Sequence, residues 1–156
     1  MSSLVGQAAP QFSLSGVDGS SKERSTYSLR DCLGEPVVLV FYPKDNSPVC
    51  TAQLRSYSHD FSTFAEVGAK VFALSPQTLD EHETFIDRNG PFAFPLLADT
   101  EKEVGENYGI LGPIGFYRRS VVVVDSEGVV RWARKAAAGL TFRPVDEIVA
   151  AVKALS

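Results

Sequence analysis

The pattern of hydrophobic and polar positions along the chain alternates between stretches typical of strands and stretches with helical spacing. Short, mostly apolar runs predict strands of a sheet that is covered on both faces. Between these runs, apolar residues recur at helical spacing, which predicts amphipathic helices. This alternation, followed by a hairpin and a last helix, indicates an α/β fold with a central mixed β-sheet flanked by helices. The strands are expected at residues 12–14, 27–29, 37–42, 70–74, 94–97, 120–124 and 129–133.

The first predicted helix begins near Cys50 and ends at Gly68, a residue type that favours helix C-termini. Together with strands 37–42 and 70–74 it forms a βαβ unit. Cys50 would then lie beyond the carboxyl end of a strand, where such sheets bind ligands. The inner face of the first helix is expected to carry Leu54, Tyr57, Phe61 and Phe64. A second helix is expected over 79–88, with Asn89 and Gly90 as its stop. Asp99 or Thr100 would cap a short third helix, with a Thr100–Glu103 capping box, and Pro144 would open the last helix.

The length of 156 residues suits one domain, so we expect residues 1–156 to form a single unit. No apolar run approaches the length of a membrane span, and the first residues lack the features of a signal peptide. We therefore expect a cytoplasmic protein without a membrane partner. The net charge of −4 argues against nucleic acid as a partner. The basic cluster at 131–135 alternates like an edge strand, which Lys and Arg help to protect from aggregation.

The chain has two cysteines, Cys32 and Cys50, which are too few for a disulfide scaffold and fit a reducing compartment. The predicted strand 37–42 separates them. At about 3.3 Å per residue, a strand of this length spans roughly 20 Å. A disulfide needs Cα atoms within about 7 Å of each other. We therefore expect no disulfide between the two cysteines in the resting fold.

The segment from Pro43 to Cys50 carries the strongest chemical signal in the chain. Cys50 follows a buried strand and opens a helix, whose unpaired N–H groups and dipole favour negative charge. A cysteine in that position is a better thiolate than a free one. Ser47 can point its hydroxyl into the same turn, while Pro43 and Pro48 stiffen the loop. A stiff loop that aims a hydroxyl at an activated thiolate predicts a reactive site.

The spacing of Pro43, Ser47 and Cys50, Pro-x-x-x-Ser-x-x-Cys, resembles the signature of the peroxiredoxins. Arg119, just before the strand 121–124, matches the second active-site arginine of that family, and the segments 94–99 and 107–109 are similar to its bacterioferritin-comigratory (Q-type) subgroup. The resemblance covers nearly the whole chain. It implies a thioredoxin-like fold and a thiol-dependent peroxidase that reduces hydrogen peroxide or alkyl hydroperoxides, with no metal and no organic cofactor.

The resemblance also implies roles for individual residues. Cys50 would attack one peroxide oxygen, and the other oxygen would leave as hydroxide or alkoxide. Arg119 would favour the thiolate and bind peroxide oxygen. The Ser47 hydroxyl and the backbone N–H groups of Val49 and Cys50 would donate hydrogen bonds to the peroxide. Pro43 would shield the site from water.

The choice of arginine rests on the resemblance. Arg118 and Arg119 are adjacent, and adjacent side chains on a strand face opposite ways. The residue pattern alone leaves the two nearly even, and the family match selects Arg119. Gln53 stands where many relatives carry Glu or Gln, and it could orient Arg119.

The chain departs from the family where a second, resolving cysteine is usual. Arg55, Phe85 and Ile86 occupy the positions where Q-type relatives carry it, and Cys32 is at no known resolving position. The chain therefore resembles a one-cysteine peroxiredoxin, whose sulfenic acid needs an external thiol. Thioredoxin, glutaredoxin and a low-molecular-weight thiol all stay open as reductants, and so do a monomer and a homodimer.

Other interpretations of the same residues have less support. A lone cysteine is usually a small packing residue, and this interpretation is preferred for Cys32. His59 is expected to be solvated and His82 to be a partly buried packing residue, so a Cys–His acyl-transfer site has no local support. No spacing suggests a metal site. A thiol–disulfide oxidoreductase would lack its Cys-x-x-Cys motif, and a non-catalytic peroxide sensor or holdase that uses Cys50 remains the alternative from another class.

Overall fold

A computed structural model describes residues 4–113, 115–135 and 142–155 of the chain. Within these ranges seven strands form one mixed sheet, in the order β2-β1-β5-β4-β3-β6-β7. The predicted mixed α/β architecture is therefore confirmed. The strands are β1 (Ser13–Val17), β2 (Arg24–Ser28), β3 (Val37–Phe41), β4 (Lys70–Ser75), β5 (Leu96–Ala98), β6 (Ser120–Val124) and β7 (Val130–Lys135).

The helices lie between and after these strands, and none of those in the described ranges is long and apolar enough to cross a membrane. A short 3-10 helix, Leu29–Cys32, follows β2 and contains Leu29, which was expected to end a strand. The α-helices are α1 (Pro48–His59), α2 (Phe61–Glu66), α3 (Leu79–Asn89), α4 (Glu103–Asn107) and α5 (Val145–Lys153).

The central strand β3 determines where the site lies. It runs parallel to β4 and antiparallel to β6. The segment β3–α1–β4 is the predicted βαβ unit. Because β6 runs the opposite way, the residues just before its start lie beside the end of β3, where Phe41 pairs with Ser120. The basic strand β7 is at the edge of the sheet, as expected.

The helix expected from Cys50 to Gly68 is divided into two, which corrects the prediction. Asp60, with φ −97° and ψ 20°, ends α1, and α2 starts at the next residue. Asp competes for backbone hydrogen bonds with its own side chain and is a weak helix former. Phe64 still faces the core after this break. Gly68 follows α2 with a φ of +71°, which glycine adopts at low cost.

The predicted capping box at α4 is wrong, although one of the two expected caps is present. The helix begins at Glu103 without a bond between Thr100 and Glu103. Instead, the Asp99 carboxylate accepts hydrogen bonds from the backbone N–H groups of Val104 (3.2 Å) and Gly105 (2.9 Å). A charged acceptor at this end satisfies two donors that lack helical partners.

A capping box is present at the start of α3. Thr78 accepts from the backbone N–H of Glu81 at 3.1 Å, and the Glu81 carboxylate accepts from the backbone N–H of Thr78 at 2.9 Å. The helix stops at Gly90, as predicted. This rigid start fixes the rotation of α3, and the inward face of the helix carries His82.

The first hairpin extends beyond its predicted strands. Val17 pairs with Arg24, so β1 and β2 reach past the expected ends at residues 14 and 27. The connection is closed by the Asp18 carboxylate, which accepts from the backbone N–H groups of Ser20 (3.0 Å) and Ser21 (2.8 Å). An Asp that bonds the backbone two and three residues later stabilises a tight turn.

The sheet separates two hydrophobic cores. Side chains of a strand alternate between faces, and all of β3 is buried. Val38 and Val40 belong to the core that contains Cys50. Val37, Leu39 and Phe41 belong to the core that contains Cys32. The two cysteines therefore lie in the cores on opposite faces of the same sheet.

Candidate active site

The loop between β3 and α1 is anchored by a buried polar cluster. The Asp45 side chain turns inward, where its carboxylate accepts from the Tyr42 hydroxyl at 2.7 Å and lies 2.7 Å from His82 Nδ1. The other ring nitrogen of His82 is 3.1 Å from the Leu97 carbonyl oxygen. All three side chains are buried. This cluster, Tyr42–Asp45–His82, therefore ties the loop to β3, α3 and β5.

Tyr42 acts as a hydrogen-bond donor in this cluster. Burial, followed by the negative charge of Asp45, raises the pKa of Tyr42 well above its ordinary value. The hydroxyl therefore keeps its proton at neutral pH and can donate it to the carboxylate. A buried carboxylate is costly unless such partners surround it.

The last residues of the loop start α1. Asn46 has a φ of 64° and turns the chain towards the helix, in a conformation that Asn tolerates better than most residues. Ser47 is the N-cap, and its hydroxyl oxygen accepts from the backbone N–H of Cys50 at 3.3 Å while the hydroxyl donates to the Lys44 carbonyl at 3.3 Å. Pro48 occupies the first helical position, which suits its fixed φ. Cys50 thus lies in the first turn of a twelve-residue helix.

Arg119 lies directly against this cysteine. Its Nη1 is 3.2 Å from Cys50 Sγ and donates to Gln53 Oε1 at 2.7 Å. Only 4% of Arg119 is exposed, whereas Arg118 faces solvent. The antiparallel register of β3 and β6 explains the contact, because it brings the residue before Ser120 beside the end of β3.

The electrostatics of this contact favour an anionic sulfur. A guanidinium at hydrogen-bond distance and the N-terminus of α1 both stabilise negative charge on Cys50. Gln53 is fully buried and is neutral, so its bond with Arg119 holds the guanidinium without cancelling its charge. Pro43 and Val49 are half-buried, whereas Cys50 is fully buried. Hydrogen bonds thus join four of the predicted residues, Ser47, Cys50, Gln53 and Arg119. Val49 is the helical residue before Cys50, and Pro43 lies in the loop between β3 and α1.

The second cysteine has a different environment. Cys32 ends the 3-10 helix, and its sulfur lies 3.9 Å from the Ser28 carbonyl oxygen. Burial raises the pKa of the Cys32 thiol. Both cysteines are free.

Two features of the site were missed at the sequence level. His82 was expected to be a partly buried packing residue, but it is fully buried and hydrogen-bonded to Asp45. Its helical spacing with Leu79 and Phe85 was a usable signal, because a histidine on an inner face needs polar partners. Tyr57 was assigned only to the inner face of α1, yet its hydroxyl accepts from Gln53 Nε2 at 3.4 Å.

No group of three or more His, Cys, Asp or Glu side chains that could hold a metal ion occurs among the described residues. The arrangement at Cys50 instead contains a nucleophile, a fixed positive charge and backbone N–H groups. These are the parts that a reaction with developing negative charge requires.

Comparisons with known proteins place the chain in a family. The sequence profile described as the AhpC/TSA family matches residues 5–133. The protein named "Putative peroxiredoxin bcp" of Helicobacter pylori strain J99 is 36% identical over 133 residues, covering 81% of this chain and 84% of that protein. The chloroplastic 2-cysteine peroxiredoxin of Chattonella marina var. antiqua is 33% identical, covering 99% and 82%. Among solved structures, Enterococcus faecalis AhpC superposes with a TM-score of 0.89 at 25% identity, covering 98% of this chain and 92% of that one.

The chain belongs to the AhpC/TSA family, and its fold is thioredoxin-like. It is a peroxiredoxin, an enzyme that reduces peroxides at the expense of a thiol. Within that class it is similar to the bacterioferritin-comigratory subgroup. The predicted fold, family and enzyme class are thereby confirmed.

Proposed function

We propose that Cys50 is the nucleophile of this peroxidase. Its thiolate attacks one oxygen of a hydroperoxide, a sulfur–oxygen bond forms and the oxygen–oxygen bond breaks. The sulfur is oxidised to sulfenic acid, and the second oxygen leaves with its electron pair and takes up a proton to give water or an alcohol. The observation that carries the proposal is the 3.2 Å contact between Arg119 Nη1 and Cys50 Sγ.

Arg119 has two tasks in this proposal. Before the reaction its charge stabilises the thiolate, and during the reaction it stabilises charge on the peroxide oxygens. Gln53 keeps the guanidinium in place through the 2.7 Å bond to its amide oxygen. Because these groups are fixed before the peroxide arrives, little reorganisation is needed at the moment of reaction.

The loop supplies the remaining contributions. Ser47 accepts from the backbone N–H of Cys50 and donates to the Lys44 carbonyl, both at 3.3 Å, which holds its hydroxyl at the first turn of α1. We infer that these two long bonds are exchanged when the peroxide enters, so that the Ser47 hydroxyl and the backbone N–H groups of Val49 and Cys50 donate to it. Pro43 limits the entry of water. The half-buried positions of Pro43 and Val49 support this assignment.

The second half of the cycle uses an external thiol. The thiol condenses with the sulfenic acid, which releases water and leaves a mixed disulfide on Cys50. A second thiol then displaces Cys50 and carries away the disulfide. Arg55, Phe85 and Ile86 stand where relatives carry a resolving cysteine, and Cys32 belongs to the core on the other face of the sheet.

Thioredoxin, glutaredoxin and a low-molecular-weight thiol are the candidate reductants. Cys50 is fully buried in the first turn of α1. Any reductant must therefore reach the sulfur through a local loosening of that turn, which competes with the packing of Leu54 and Tyr57. A small thiol needs less loosening than a protein does, so we expect it to be the more effective reductant.

A turnover assay tests the proposal. Peroxide consumption is followed with each reductant in excess, for the wild type and for Cys50→Ser. Continued consumption that depends on Cys50 and on added thiol is expected. Oxidation that stops after one equivalent with every reductant would contradict catalysis and favour a peroxide sensor or holdase. Turnover by Cys50→Ser equal to that of the wild type would remove Cys50 from the reaction.

Location, domain content and assembly complete the proposal. A cytoplasmic location would supply the reducing thiols that the cycle needs. Residues 1–156 are proposed to fold as one peroxiredoxin domain, as a monomer or a homodimer. Light scattering of the purified protein distinguishes the two assemblies, and limited proteolysis that yields one resistant core would agree with one domain.

A further inference from the structure

Tyr57 lies one helical turn after Gln53 on α1, so the two side chains share one face of the helix. Both residues are fully buried. The Gln53 amide nitrogen donates to the Tyr57 hydroxyl oxygen at 3.4 Å, while the amide oxygen of the same side chain accepts from Arg119 at 2.7 Å. Gln53 therefore connects Tyr57 with the guanidinium beside Cys50.

The Tyr57 hydroxyl donates its own proton in the opposite direction, to the backbone carbonyl of Arg143. Burial raises the pKa of Tyr57 to about 12, so the hydroxyl is protonated throughout the neutral range. The carbonyl is held in place as well. The ring of Phe142 packs edge-on against the Tyr57 ring, with centroids 5.8 Å apart, and Arg143 pairs with Glu147 of α5 at 2.9 Å.

The direction of these bonds fixes the orientation of the Gln53 amide. A carbonyl can only accept, so Arg143 requires the Tyr57 proton. Tyr57 can then only accept from Gln53, which turns the amide nitrogen towards Tyr57 and the amide oxygen towards Arg119. A reversed amide would place two donors, the amide NH₂ and the guanidinium, against each other. The acceptor that holds Arg119 is therefore specified from the far end of the chain of bonds.

We propose that Tyr57 is a positioning residue of the peroxidase, which holds Arg119 against Cys50 by fixing the Gln53 amide. This inference rests on the proposed roles of Cys50 and Arg119. It adds that a backbone carbonyl at residue 143, outside the βαβ unit that carries the cysteine, takes part in setting the reactivity of that cysteine.

A purely structural role is the alternative, because a buried tyrosine hydroxyl needs partners in any case. The two roles differ in what they predict. A structural hydroxyl affects the free energy of unfolding. A positioning hydroxyl also affects the peroxide reaction, and this effect requires the Gln53 amide.

The variant Tyr57→Phe removes the hydroxyl and keeps the ring contacts with Phe142 and Phe64. We expect the second-order rate constant with hydrogen peroxide to fall about fivefold, the size of one ordinary hydrogen bond. Alkylation of Cys50 at neutral pH should also become slower, because Arg119 is held less firmly near the sulfur. Tyr27→Phe, a change in the core on the other face, is the matched control and should alter neither quantity.

A double-mutant cycle with Gln53→Leu completes the test. If Tyr57 acts through Gln53, then Tyr57→Phe causes no further loss of rate in the Gln53→Leu background. An equal loss in both backgrounds, or wild-type rates of peroxide reduction and of Cys50 alkylation for Tyr57→Phe, would overturn the inference. Arg119→Met, measured in parallel, separates this failure from that of the proposed function. A large loss for Arg119→Met keeps the proposed function, whereas a normal rate would overturn both.

Discussion

The two cysteines lie in the cores on opposite faces of one sheet, and their surroundings can be compared directly. Cys50 has 0% and Cys32 has 5% of its surface exposed, and both are free thiols. Each cysteine belongs to a helical turn next to β3, Cys32 before the strand and Cys50 after it. Burial and the presence of a helical turn therefore do not distinguish them.

Their neighbours distinguish them. Cys32 ends a 3-10 helix and faces the Ser28 carbonyl oxygen, so its surroundings disfavour an anion. Cys50 lies in the first turn of α1, and its sulfur is 3.2 Å from the Arg119 guanidinium. The comparison shows that charge and helix polarity around the sulfur, rather than exposure, separate a reactive cysteine from a packing one.

The largest expected effect is the difference in peroxide turnover between the two variants that each lack one thiol. We expect Cys50→Ser to reduce peroxide consumption to the buffer background, because it removes the thiolate that we propose as the nucleophile. Cys32→Ser should keep more than half of the wild-type rate. The measurement is steady-state turnover with a common thiol reductant. Equal loss in the two variants would show that the pair is not divided as described.

The positive charge beside Cys50 should account for the next largest effect. Arg119→Met removes the guanidinium and keeps much of the side-chain volume, so we expect the peroxide rate to fall about 100-fold, as when one preorganised donor is lost. The control is Arg118→Met, a change at the adjacent exposed arginine, which should remain near the wild-type rate. Similar rates for the two variants would remove Arg119 from the site.

The loop before Cys50 should depend on the buried Tyr42–Asp45–His82 cluster. His82→Leu leaves the Asp45 carboxylate buried without one of its partners, which should lower the free energy of unfolding by about 3 kcal/mol. His59→Leu, on the exposed side of α1, should change it by less than about 0.5 kcal/mol. Urea unfolding of both variants makes the comparison. Equal stabilities would mean that the cluster does not anchor the loop.

The smallest effect concerns the thiol that we assign to packing. Burial raises the pKa of Cys32, so its thiolate is scarce at neutral pH and increases only as the pH rises through that higher value. In Cys50→Ser, alkylation of Cys32 should therefore be slow near pH 7 and accelerate in alkaline solution. Mass spectrometry of samples alkylated across the pH range checks this. Rapid alkylation at neutral pH would contradict the assignment.

Much of the fold follows from local patterns. The runs predicted as strands at 37–42, 70–74 and 120–124 are β3, β4 and β6, with ends that differ by at most one residue, because sheets covered on both faces leave a continuous apolar signal. Two of the errors occur where side chains bond the backbone. Asp18 and Asp99 redirect a turn and a helix start through their carboxylates, and the apolar period does not contain that information.

The site residues likewise differ in whether local sequence patterns could identify them. Cys50 and Ser47 were identifiable because a strand, a proline-rich loop and a helix start are contiguous in sequence. Arg119 was selected by the family resemblance, since its contact with Cys50 depends on the register of β6 against β3. Asp45, His82 and Tyr57 form their bonds with residues on other elements, so their polar roles emerge only when those elements pack together.

Trapping of the first oxidation product tests the central claim most directly. The reduced protein is treated with less than one equivalent of hydrogen peroxide, without reductant and with dimedone to capture sulfenic acid, and its peptides are analysed by mass spectrometry. We predict a dimedone adduct on Cys50 and an unmodified Cys32. An adduct mainly on Cys32, or a peptide that joins Cys32 to Cys50 through a disulfide, would contradict the account.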